Sequence, residues 1–107
     1  MSIPEQRQHP RVKPPKSVVV AWQAGILHDV SYVDSLGLGG LFVRTKLPVP
    51  LRSLVQILLD TPAGEIRGRG VVRNIQQNRG IGVQIIAMDT EDRARLFREL
   101  RTLLPVQ

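Results

Sequence analysis

From Ser17 to Ala87 the apolar positions recur every second residue in short runs, and glycine or proline separates the runs. A period of two is the strand period, in which alternate side chains share one face of a sheet. SVVVAWQ, residues 17–23, is rich in β-branched residues and reads as a strand that turns at Ala24-Gly25. LHDVSYV, residues 27–33, alternates, with His28, Val30 and Tyr32 forming the more apolar face. DSLGLGG, residues 34–40, reads as a glycine-rich loop before the short strand LFVRT. LPVPLRS is a proline-punctuated connection, LVQILLD a buried strand and TPAGE a tight turn. EIRGRGVVRNI is a further strand in which Gly68 and Gly70 mark a bulge or bend. QQNRG turns the chain into the last strand, IGVQIIA. About six short strands at regular spacing predict a mainly β fold, a small six-stranded antiparallel barrel or sandwich.

The period then changes. Leu96, Phe97, Leu100, Leu103 and Leu104 fall on one helical stripe. Asp89 or Thr90 can cap the helix, Glu91 and Asp92 suit its positive N-terminal end, and Pro105 ends it. A C-terminal α-helix over about 89–104 is expected to lay this stripe on an open end or side of the barrel.

Residues 1–16 have no such pattern. They carry Pro4, Pro10, Pro14 and Pro15, and proline disfavours helix at the residue before it. The expected layout is a flexible basic N-terminal arm over 1–16 and one domain over 17–107. The arm holds Arg7, Arg11, Lys13 and Lys16 against Glu5, so three of the chain's six net positive charges sit there. That balance favours an anionic partner.

Composition removes other classes. There is no cysteine, and His9 and His28 are the only histidines, so thiol chemistry and a histidine-rich metal site are not expected. No nucleophile–base arrangement and no phosphate loop stands out, which argues against an enzyme. Aromatics number four, too few for the stacking platform of a single-strand nucleic-acid binder. No apolar run reaches the roughly 18 residues of a membrane span, and the first residues lack the apolar segment of a signal peptide. A cytoplasmic protein without membrane insertion is the expectation.

Two segments can carry binding chemistry. Arg7 and Arg11 stand four residues apart. A guanidinium presents a planar fork of donors that grips phosphate oxygens, reads the O6/N7 edge of guanine, or stacks on a purine. Residues 34–40 offer Asp34 and Ser35 beside three glycines. A carboxylate suits guanine, because it accepts from N1–H and N2–H together. Glycines let a flat ligand approach the backbone.

Together these features resemble the PilZ family. That family has an N-terminal RxxxR and then a strand-borne D/N-x-S-x-x-G, in a six-stranded antiparallel barrel with a C-terminal helix. Its members typically bind the bacterial second messenger cyclic di-GMP. Arg7 and Arg11 fit the first motif, GGLFVRTKLPVPL resembles the second running into the next strand, and VVRNIQQNRGIGVQI resembles the late hairpin. The second motif departs from the pattern. Anchored on Gly40, it puts Ser35 at the Asp/Asn position and Gly37 at the Ser position; anchored on Asp34, it gives Leu36 and Gly39. One extra residue in the loop reconciles the two. Gln6 stands where the family often has a further arginine, which favours one bound ligand over a stacked pair.

The resemblance implies a receptor or adaptor that binds cyclic di-GMP and relays it to a partner protein, without a cofactor. The implied ligand-binding residues are Arg7, Arg11, Asp34, Ser35, Gly37 and Gly40. The alternative it leaves open is a protein-interaction module that has lost the nucleotide.

Overall fold

The computed structural model describes residues 11–103. Six strands precede one helix: β1 (Val19–Ala24), β2 (Leu27–Leu36), β3 (Gly40–Arg44), β4 (Leu54–Thr61), β5 (Gly64–Gln76), β6 (Gly80–Ala87) and α1 (Thr90–Leu103). All pairings are antiparallel, and the sheet closes in the order β1-β2-β3-β6-β5-β4. Closure leaves no open sheet edge, the hazard of a chain made of short strands. The turns follow local chemistry. Gly25, at φ 62°, takes the first place of the two-residue β1–β2 turn, where a left-handed backbone suits glycine. Thr61 Oγ1 donates to the Gly64 carbonyl at 2.7 Å and closes the β4–β5 turn.

The core is aliphatic, with Trp22 its one large aromatic. Val20, Val33, Leu36, Leu41, Val43, Val55, Ile66, Val72, Ile81 and Val83 fill the barrel. Leu96 and Leu100 of α1 join the same cluster. Asp92 Oδ1 accepts from the Arg67 amide at 3.1 Å, and Arg95 Nη1 donates to the Glu65 carbonyl at 3.0 Å, so the helix is tied to β5.

Four details differ from the pattern-based reading. Over residues 27–33 of β2 the buried positions are Ser31 and Val33, while Val30 and Tyr32 face out. The cause is a partner for the hydroxyl: Trp22 Nε1 donates to Ser31 Oγ at 2.9 Å inside the barrel. A buried hydroxyl with its hydrogen bond made is tolerated where an orphan is not. β4 alternates rather than being buried on both faces, so Leu54 is exposed. On α1, Leu96 and Leu100 are buried but Phe97 is half exposed, its ring beneath the Arg101 guanidinium at 5.9 Å. Leu104 lies outside the described residues. Finally, the glycine loop is shorter than 34–40, because β2 runs on to Leu36 and β3 starts at Gly40. The bend near Gly68 and Gly70 is present, as a register shift between Arg69 and Gly70.

Candidate functional site

The end of β2 positions the candidate residues. Its pairing with β3 runs Val33↔Val43 and then Ser35↔Phe42, so Asp34 is an extra residue, a bulge. Burial shows the consequence: Ser31 and Val33 are buried, and the next buried position is Leu36. Asp34 and Ser35 therefore both lie toward the outer surface. A bulge of this kind re-aims side chains that strict alternation would send inward.

The segment before the barrel docks beside this bulge. Val12 and Leu36 exchange two backbone hydrogen bonds, each 2.8 Å, and the Val12 side chain is buried in the core cluster. That bridge fixes its neighbour. Arg11 Nη1 reaches Ser35 Oγ at 3.4 Å, and a Cβ added at Gly40 would stand 3.1 Å from Arg11 Nη2. The same Cβ would run into the Val83 carbonyl oxygen across the β3–β6 pair. Gly40 is thus required by the close approach of β6, and its bare face leaves the Arg11 guanidinium lying against backbone.

The predicted residues do not all come together. Arg11, Ser35 and Gly40 do. Gly37 is buried and shapes the turn, its amide donating to the Gly40 carbonyl at 2.9 Å. The Asp34 carboxylate is engaged elsewhere: Arg44 Nη2 of β3 donates to its Oδ1 at 2.7 Å. Arg7 lies outside the described residues.

Pattern reading passed over three neighbours. Phe42 lies opposite Ser35 and between two core residues, Leu41 and Val43, yet it is not part of the core cluster. It faces outward and is still buried, with its ring edge beside Gly80 and the Arg79 guanidinium 5.9 Å from the ring centre. Its parity between two inward residues was the available signal. Gln84 of β6 pairs with Gly40 and accepts a hydrogen bond from Arg73 Nε. Arg44 is the third. The surface around Ser35 thus combines a guanidinium, a hydroxyl and bare backbone, next to the largely buried ring of Phe42. Those are the elements that receive a flat, anionic, hydrogen-bonding ligand.

A model of the PilZ domain matches residues 5–102. The chain belongs to the PilZ family. No curated protein sequence matches it. Among solved structures, the K. pneumonia MrkH–c-di-GMP complex superposes with a TM-score of 0.74 at 19% identity, covering 92% of this chain and 52% of MrkH. The Bacillus subtilis inhibitor of motility MotI/DgrA gives 0.73 at 20% identity, over 92% of this chain and 51% of that one. The PilZ domain of CeSA from a cellulose-synthesizing bacterium gives 0.68 at 18% identity, over 88% of this chain and 97% of that domain. At such identities the likeness establishes the PilZ fold. The chain spans about half the length of MrkH and of MotI.

No helix among the described residues is long and apolar enough to cross a membrane. Nor do those residues hold a group of three His, Cys, Asp or Glu side chains that could bind a metal ion. A hollow of about 1000 Å³ over β1, β2, β4 and β5 is lined by Val30, Ala21, Leu58 and Arg69 among others, and contains none of the predicted site residues.

Proposed function

We propose that this PilZ protein is a cytoplasmic receptor for cyclic di-GMP and an adaptor, not an enzyme, that presents the bound nucleotide to a partner protein. The observation that carries the reading is the Arg11 guanidinium held at Ser35 Oγ and against Gly40. The ligand rests on the outer surface at Ser35–Gly40. Arg11 takes a phosphate or the O6/N7 edge of a guanine, and Arg7, which lies outside the described residues, supplies a second guanidinium to the same ligand. The bulge at Asp34 supports the register of the second motif in which Ser35 takes the Asp/Asn role and Gly37 the Ser role. Missing polar contacts to a base edge cost roughly 1–3 kcal/mol each, so the site is weak rather than absent. The relatives support the reading in one respect: MrkH is described in complex with c-di-GMP.

Isothermal titration with cyclic di-GMP is the test. Saturable binding in the micromolar range, abolished in the Arg7→Ala/Arg11→Ala double variant, is expected. No heat at high micromolar ligand, or equal affinity in the double variant, rejects the proposal.

One observation favours a second reading, a PilZ interaction module without nucleotide. The Asp34 carboxylate is already satisfied by Arg44, so the acidic group best suited to guanine is occupied. In that case partner binding is constitutive and indifferent to added cyclic di-GMP.

A further inference from the structure

The two ends of the barrel differ. The β2–β3 and β4–β5 turns and α1 lie at the end that carries Gly37 and Gly40. The other end is formed by the β1–β2 turn (residues 25–26), the β3–β4 connection (45–53) and the β5–β6 turn (77–79). These three segments hold Lys46, Arg52 and Arg79 and no Asp or Glu. The carboxylate nearest to them along the chain, Asp29, lies on β2 and accepts from the Val30 amide at 2.8 Å. Lys46, Arg52 and Arg79 form no ion pair among the described residues.

Large apolar side chains project from the same end. Ile26, at the tip of the β1–β2 turn, is 93% exposed, Leu54 70% and Leu51 51%. Ile26 and Leu54 flank one groove of about 550 Å³ with Pro48 and Pro50. Burying these groups in the protein is not needed for folding, since the core closes without them. Exposed apolar groups gathered in one place mark an interaction surface. Arg52 adds a second sign. Its φ of 71° is left-handed backbone, which glycine adopts freely and arginine only against strain. The cation is held there at a conformational cost.

We propose that this end of the barrel is a docking surface for an anionic lipid bilayer, gripping it peripherally without a spanning segment. Charge complementarity selects the occupant. Loops that carry Lys46 and Arg52, no carboxylate and protruding apolar side chains match an interface of anionic headgroups over hydrocarbon. A second copy of the chain would bring like charges together. The tips also stand out from the surface, as partition into a lipid interface requires.

Flotation with vesicles of phosphatidylcholine and phosphatidylglycerol (70:30) tests this. Each cation facing such a surface contributes about fivefold in partitioning, and an inserted isoleucine about tenfold or more. The wild-type chain is expected to float with these vesicles and not with pure phosphatidylcholine. Ile26→Asp and the pair Lys46→Glu/Arg52→Glu are expected to lower partitioning by more than tenfold. Phe97→Asp and the pair Arg98→Glu/Arg101→Glu, exposed on α1, carry matched changes at the other end and are expected to change it by less than threefold. Ile26 and Phe97 touch solvent, so circular dichroism should show both variants folded. Absence of flotation, or losses at the α1 positions equal to those at Ile26 and at Lys46/Arg52, overturns the proposal. So does retention of partitioning by Ile26→Asp, or capture of a protein through Ile26 without vesicle binding. Failure leaves the nucleotide site untouched, because cyclic di-GMP titration is read at Arg11 and Ser35.

Discussion

Arg44 reaches across from β3 to hold the Asp34 carboxylate at 2.7 Å, and Asp34 is the extra residue of the β2 bulge. The next residue, Ser35, is the one that faces Arg11. Two adjacent polar residues thus serve different neighbours. If the ligand lies beside Arg11, position 35 matters and position 34 does not. Asp34→Ala is expected to leave cyclic di-GMP affinity within about threefold, while Ser35→Asp, which supplies a carboxylate for the guanine edge, is expected to tighten it roughly fivefold or more. Titration calorimetry on the two variants separates the cases. Loss of binding in Asp34→Ala would put the carboxylate back in the site.

Val12 fastens the arm. Its two hydrogen bonds to Leu36 and its buried side chain hold Arg11 one residue from a fixed point. Val12→Asp puts a charge where the core has no partner for it, and burying an unpaired charge is strongly unfavourable. The expected result is detachment of the segment, seen as faster hydrogen exchange at the Leu36 amide. Cyclic di-GMP affinity should fall about as far as in Arg11→Ala, while the barrel stays folded by circular dichroism. Undiminished affinity would show that Arg11 does not need this anchor.

Ser31 is a polar residue inside an apolar barrel, and its partner is the Trp22 indole. Ser31→Ala leaves the Nε1–H buried without an acceptor. A lost buried partner of this kind costs about 1–3 kcal/mol, which urea unfolding can resolve. Ser31→Thr keeps the hydroxyl and is expected to cost less than Ser31→Ala. The reverse order would mean that packing volume, not the hydrogen bond, governs the position.

How far the chain announces this structure depends on which interaction decides each residue. The strands follow from alternation and from β-branched runs such as Val18–Val20, and the turns from Gly25 and Asn78, which adopt left-handed backbone. Helix α1 follows from the spacing of Leu96 and Leu100 and its acidic first turn. Local patterning could not show that β2 buries its Ser31 side, because the deciding hydrogen bond comes from Trp22 on the neighbouring strand. Nor could it show the bulge, which is a register relation between β2 and β3. The arginines and the glycine loop were legible as chemistry. Their pairing was not: Arg11 reaches Ser35 through the Val12–Leu36 bridge, a contact between segments 24 residues apart. The claim of Arg44 on Asp34 is likewise a cross-strand matter.

The helix offers the sharpest test of where the core ends. Leu96 and Phe97 are neighbours on one apolar stripe in sequence, yet Leu96 is fully buried and Phe97 is 49% exposed beneath Arg101. Deleting a buried leucine side chain costs about 2–5 kcal/mol through lost burial and a residual cavity. Leu96→Ala should therefore lower the urea midpoint substantially and loosen α1 from the barrel. Phe97→Ala removes the larger side chain but leaves no internal cavity, so its expected cost is below about 1 kcal/mol. An equal or larger loss in Phe97→Ala would mean that the ring is buried in solution and that the helix is rotated toward the stripe the sequence pattern describes.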